Sequence, residues 1–147
     1  MKKKKSILFT KTAYSKKYLL THPWEIIANF FRDIKCAWQR ANYGYCFRDI
    51  WCIDWWFLEI IPKMIQDLNK VRSTHPVNMT DKEWGNILDE MTFYFTEASE
   101  ETCTQENNLD INDPNWINRE SQLQEYRQEC LKKGFELFTK HFHSLWD

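Results

Sequence analysis

Between Asn42 and Pro62 the chain carries seven aromatic rings, three acids and a single arginine. No other stretch is as apolar, and it constrains the fold most. Ile50, Ile53, Phe57, Ile60, Met64 and Leu68 recur at three-and-four spacing, and Phe47, Trp51, Trp55 and Leu58 form a second stripe beside them. A helix that is apolar on two faces has to be covered on two faces, which predicts a buried central helix over about 47–72. Pro62 removes one ladder bond and crowds the preceding turn, so a kink is expected there.

The rest of the chain supplies partners for that helix. Only three Gly and four Pro occur in 147 residues, too few for a turn-rich all-β fold. A first helix opens near Thr21-His22-Pro23-Trp24-Glu25 and runs to about Arg40. Thr21 suits the cap, Pro23 the first turn and Glu25 the positive helix end. Its expected core side is Ile26, Ile27, Phe30, Phe31, Ile34, Ala37 and Trp38, and Gly44 ends it by taking a positive φ. Residues 73–79 form a linker. Thr80-Asp81-Lys82-Glu83 is a capping box ahead of a third helix whose buried side reads Trp84, Ile87, Leu88, Met91, Phe95 and Ala98. After an Asn/Asp-rich loop at 106–113, a fourth helix runs from about Trp116 to Leu145, with Leu123, Tyr126, Leu131, Phe135, Phe138, Phe142 and Leu145 inward. The expectation is an all-α, single-domain bundle of about four main helices: a basic flexible arm over residues 1–20 and a helical domain over 21–147.

Charge is distributed unevenly. Net charge is −1, yet residues 1–20 hold seven Lys and no acid, while residues 81–113 hold ten acids against one Lys. The lysine arm could touch nucleic acid, but a solubilising tail is the ordinary explanation of such a run, and a nucleic-acid partner is not expected. The longest near-apolar run, residues 50–61, is 12 residues long with Asp54 and Glu59 inside it, too short and too charged for a membrane span. No membrane partner is expected. Five cysteines, odd in number and without a CxxC pair, indicate reduced thiols and no zinc site. His141 and His143 are two apart, so a helix points them away from each other, and no metal or cofactor is expected.

The candidate site lies around the central run. Asp54 sits among apolar neighbours, and a carboxylate there needs a cation, with Arg40 as candidate partner, or else lines a cavity. The ordinary alternative is an Arg–Asp tie between helices. Arg48 and Asp49 fall in the first helical turn, where Asp49 favours the helix dipole. With Tyr43, Tyr45 and Trp51 they compose a site for an anion and a stacked base: helix N-termini attract phosphate, Arg grips it and rings stack on bases. The expected ligand-binding set is therefore Arg40, Tyr43, Tyr45, Arg48, Asp49, Trp51 and Asp54. No nucleophile–base spacing or glycine-rich phosphate loop occurs, so catalysis is not expected.

His22-Pro23-Trp24-Glu25, Gln39-Arg40 with Gly44-Tyr45, Asp49-Ile50-Trp51 with Ile53-Asp54, Ile61-Pro62, Met79-Thr80 with Glu83-Trp84, and Leu145-Trp146-Asp147 resemble a family of small bacteriophage-encoded helical proteins of unassigned function. The chain departs from that pattern at Phe47, where the resemblance leads one to expect a small acidic or polar residue, and at Thr74-His75-Pro76, where the family usually has an intervening glycine. The resemblance implies a phage origin and a host-cytoplasmic location, and it carries no activity. The expected role is an accessory protein sequestering a small, anionic, nucleotide-derived host signal. The alternative is a protein–protein inhibitor or assembly component docking through an aromatic or acidic surface. Self-association is expected from the excess of Trp and Phe.

Overall fold

A computed structural model of the chain describes residues 23–146. The fold is all-α: four α-helices and two short 3₁₀ turns, with no strand among the described residues. Helix α1 spans Pro23–Tyr43, α2 Ile53–Val71, α3 Asp81–Glu97 and α4 Trp116–His141. The chain divides between Ile53 and Asp54 into two compact units. The basic arm and the Thr21 cap lie outside the described residues.

In the first unit α1 starts at Pro23 and ends at Gly44, whose φ of 79° provides the positive-φ stop that the sequence predicts. Its orientation corrects the expected core side. Ile26, Ile27, Phe30, Phe31, Ile34 and Trp38 are exposed, whereas Asn29 and Cys36 are buried. A helical stripe states which residues share a face, and here the polar face is the one engaged by the rest of the unit. Residues 49–52 form a 3₁₀ turn where a single helix from Phe47 is expected, so the α-helix proper begins only at Ile53.

In the second unit α2, α3 and α4 share one core. Trp84, Leu88, Met91 and Phe95 of α3 and Ile65 of α2 are buried in it, and Phe57, Leu58, Ile61, Leu68, Leu131, Leu137, Phe138 and Leu145 pack against them. Burying each such side chain stabilises the fold by about 1.5–3 kcal/mol. The buried face of α2, Phe57, Leu58, Ile61, Ile65 and Leu68, cuts across both expected stripes: Ile53 and Met64 of one and Trp55 of the other are exposed, and α3 contributes most of the deep core. Pro62 lies inside α2 and is buried. The α3 cap forms as the sequence predicts, with the Glu83 amide donating to Thr80 Oγ1 at 3.3 Å and the Thr80 amide to Glu83 Oε2 at 2.8 Å. Arg72 bridges to the start of α3 by donating to the Asp81 carboxylate and, at 3.1 Å, to the Asp81 carbonyl.

Aromatic rings interlock at the centre of this unit. Phe57 stacks on Phe135 at 5.3 Å and meets Phe95 edge-on at 5.4 Å, and Phe95 in turn meets Phe138 at 5.9 Å. Gly134 permits this packing, since a Cβ there would sit 2.9 Å from the Phe95 ring. Glu97, buried at the end of α3, accepts from Thr104 Oγ1 at 2.8 Å, the Thr104 amide at 3.1 Å and Tyr126 Oη at 3.0 Å, which ties the following loop to α4. The carboxylate's partners are thus neutral donors among the described residues.

Gly134→Ala is expected to destabilise the second unit by about 1–3 kcal/mol, measured by denaturant unfolding, because the α4 backbone must move off the Phe95 ring. His141 is buried edge-on against Trp84, and burial, with the charge of Lys140, holds its pKa below the ordinary value of 6.5. The folded state keeps it neutral while the unfolded state takes up a proton below 6.5. Stability is therefore expected to be full above pH 6.5 and to fall as the pH drops towards the lowered folded value. His141→Leu should flatten that part of the stability–pH profile; an unchanged profile would discount the buried imidazole as its cause.

Candidate functional site

The predicted site lies at the end of the first unit and is built on a reversal of the chain. The Gly44 amide closes on the Arg40 carbonyl at 3.0 Å, and the Asp49 amide donates to the Cys46 carbonyl at 3.0 Å. The second turn folds the Asp49 side chain back, where Oδ2 accepts the Cys46 amide at 2.7 Å. Arg40 reaches the same carboxylate with two donors: Nε to Oδ2 at 3.0 Å and Nη2 to Oδ1 at 2.5 Å. The fork matches the planar carboxylate, and both side chains are nearly enclosed, 8% and 5% exposed. Burial pushes the Asp49 carboxyl up, but the Arg40 hydrogen bonds, the Cys46 amide and the Arg40 charge outweigh it and leave the carboxyl below its ordinary range. The same hydrogen bond raises Arg40, against its own desolvation.

The pair corrects the expected partnership of Arg40 with Asp54: Arg40 takes Asp49. Asp54 opens the second unit as an exposed acid in the first turn of α2, a place where the helix dipole accounts for it. Arg48 donates to Asp33 Oδ1 at 2.8 Å, and its guanidinium lies 5.9 Å from the Phe47 ring centre, with Lys35 at 5.5 Å from the same ring. The Phe47 amide donates to Gln39 Oε1 at 3.2 Å. Both arginines proposed as anion ligands thus have internal carboxylate partners.

The rings in the predicted site face outward. Tyr43 packs edge-on against Trp38 at 5.9 Å but is exposed, as are Tyr45, Ile50 and Ile53, and Trp51 is 85% exposed. These exposed side chains, the cap, stand on the stretch of chain that the buried ionic clamp fastens. Beneath the cap the thiols of Cys36 and Cys46 are free and buried. Burial, then Cys46, pushes the Cys36 thiol up to about 11, so it stays protonated at neutral pH. Among the described residues no three His, Cys, Asp or Glu side chains are grouped to hold a metal ion.

Recesses described elsewhere belong to the second unit. One of about 30 Å³, near the size of a single water, is lined by Thr74, His75, Pro76, Ser144 and Trp146. The other is a wide-mouthed depression over Lys132, Phe135, Glu136, Thr139 and Lys140. Neither is lined by a residue of the predicted site.

Sequence reasoning overlooked Asp33, Gln39 and Cys46, all of which position the cap. A signal for the clamp exists in the spacing: Arg40 and Asp49 flank Gly44 almost symmetrically, as they must when a reversal brings them together. Comparison with family models, curated proteins and solved structures finds no match. No helix among the described residues is long and apolar enough to cross a membrane.

Arg40→Met is expected to weaken the reversal by about 3–5 kcal/mol, since it leaves a buried carboxylate without its cation. Hydrogen exchange at the Cys46 and Asp49 amides should report the loss, and Arg40→Met/Asp49→Leu should recover part of it. Because the folded carboxyl lies below 3.8, the clamp's contribution is present above pH 3.8 and is lost as the pH falls through the lowered value.

Proposed function

We propose that this chain is a non-enzymatic accessory protein that docks on a protein partner through the cap formed by Tyr43, Tyr45, Ile50, Trp51 and Ile53. The observation that carries this is the contrast between clamp and cap. A bidentate ion pair fixes the backbone from beneath, while Trp51 and its neighbours are held in solvent. Trp and Tyr on a rigid support are the residue types that dominate protein–protein binding energy, and an exposed apolar group of this kind indicates a docking surface. The phage resemblance of the sequence supports a setting in the host cytoplasm, as an inhibitor of a host protein or an assembly component. Self-association belongs to the same proposal and is supported by the large apolar side chains exposed along α1.

The second reading, sequestration of a nucleotide-derived anion, draws on Arg48. Its guanidinium is only partly covered and lies beside the Phe47 ring, so a phosphate could exchange with Asp33. It gains nothing from Arg40, which the clamp holds.

Affinity capture from host lysate treated with nuclease is expected to recover a protein at stoichiometric level with the natural chain, and to lose it with Trp51→Ala or Tyr45→Ala. Helix content by circular dichroism should be unchanged in both variants. A thermal shift with cyclic dinucleotides or ADP-ribose that Arg48→Met abolishes, with no protein captured, would decide for the second reading.

A further inference from the structure

The exposed face of α1 has an order as well as a composition. Trp24, Ile27, Phe31, Ile34 and Trp38 follow one another at spacings of three, four, three and four, the seam of a helix that packs lengthwise against another helix. All five are exposed, between 47% and 79%. Ile26 and Phe30 widen the seam on one side to an arc of roughly 160°. The opposite face, with Asn29, Cys36 and Arg40, is turned into the unit. The helix therefore engages its own unit through polar groups and leaves its apolar seam outward, at a cost that water imposes on every exposed ring.

Read in either direction the seam has the same residue types: Trp, Ile, Phe, Ile, Trp. In an antiparallel two-fold pair such a seam sets Trp against Trp and Ile against Ile on either side of the axis, so each copy covers the other with side chains of its own kind. We infer that a second copy of this chain covers α1 antiparallel, with the two-fold axis near Phe31, the Trp24 end of each copy against the Trp38 end of the other, and Ile27 against Ile34. This rests on the self-association proposed above and assigns its interface. Charge favours the same direction. Seven lysines and no acid precede Trp24 in the sequence, and an antiparallel pair keeps the two Pro23 ends of α1 apart, at opposite ends of helices about 30 Å long. Area agrees as well. The four exposed aromatics of the face offer on the order of 500 Å², and with the three Ile the patch reaches roughly 800 Å² per copy, the size of a standard interface.

The test uses the full chain and light scattering after size exclusion. The natural protein is expected to be a dimer at micromolar concentration. Phe31→Asp, at an exposed position, is expected to weaken dimerisation by roughly 30-fold or more with helix content retained. Direction is read by cross-linking on a Cys52→Ser background, which removes the exposed thiol. Phe31→Cys should give a covalent dimer on oxidation. Trp24→Cys and Trp38→Cys should each fail alone and cross-link only when mixed. A dimer undisturbed by Phe31→Asp overturns the seam and leaves self-association standing. A natural protein that is monomeric throughout overturns both. Cross-linking of Trp24→Cys with itself makes the pair parallel and overturns the antiparallel arrangement. A monomer that binds phosphatidylserine-containing vesicles, and loses them with Phe31→Asp, gives the face to a bilayer instead.

Discussion

Two oxygens of Asp49 are held by two nitrogens of Arg40 and by the Cys46 amide, and the architecture of the first unit follows from that arrangement. Removing both charges from water is costly, and the fork geometry with its added amide donor offsets the cost. A buried ion pair of this kind is costly to break from one side, because the partner left behind is a buried charge without its counter-ion. Once Arg40 is committed, α1 can rotate little, because Arg40 shares a face with Asn29 and Cys36. That face turns inward and the Trp–Ile–Phe seam turns outward. The exposed aromatic surface is thus a consequence of where one guanidinium had to go.

The second unit solves the opposite problem in the ordinary way. Its capping box sets the start of α3, its three-and-four stripe meets α2 and α4, and the Phe95 ring lies over Gly134, which lets the helices approach. The polar groups it buries have nearby donors. Glu97 collects hydroxyl and amide donors from the loop and from α4. The exceptions are His141 Nε2 and Arg127 Nε, buried without a hydrogen-bond partner among the described residues, and burial is what makes His141 sensitive to protonation. Both units expose apolar side chains, but in the first they stand in register along one helix face and around one clamped turn, which is why docking is assigned to it.

Much of the candidate site was legible by location and little of it by role. Arg40 and Asp49 do meet across the reversal after Gly44, while Arg48 takes Asp33 and Tyr43, Tyr45 and Trp51 are exposed on the same stretch of chain. The choice of Asp49 over Asp54 as the partner of Arg40 was not legible. Both acids lie within reach along the sequence, and only Asp49 belongs to a turn that aims its carboxylate back at α1. Arg48, placed at a helix end to meet phosphate, meets Asp33 instead, and fifteen residues of separation hide such a pair from any local pattern.

What the amino-acid order determined by itself is local: four helices, though not where the second begins, the Thr80–Glu83 cap, the stop at Gly44, and which residues of each helix share a face. These depend on backbone torsions and on neighbours three or four positions away, which the linear chain specifies directly. What only the tertiary structure decided is which stripe faces in and which charge pairs with which. Those outcomes depend on desolvation and on contacts between distant residues, and a periodic stripe has the same period whether it meets a core, a second copy or water.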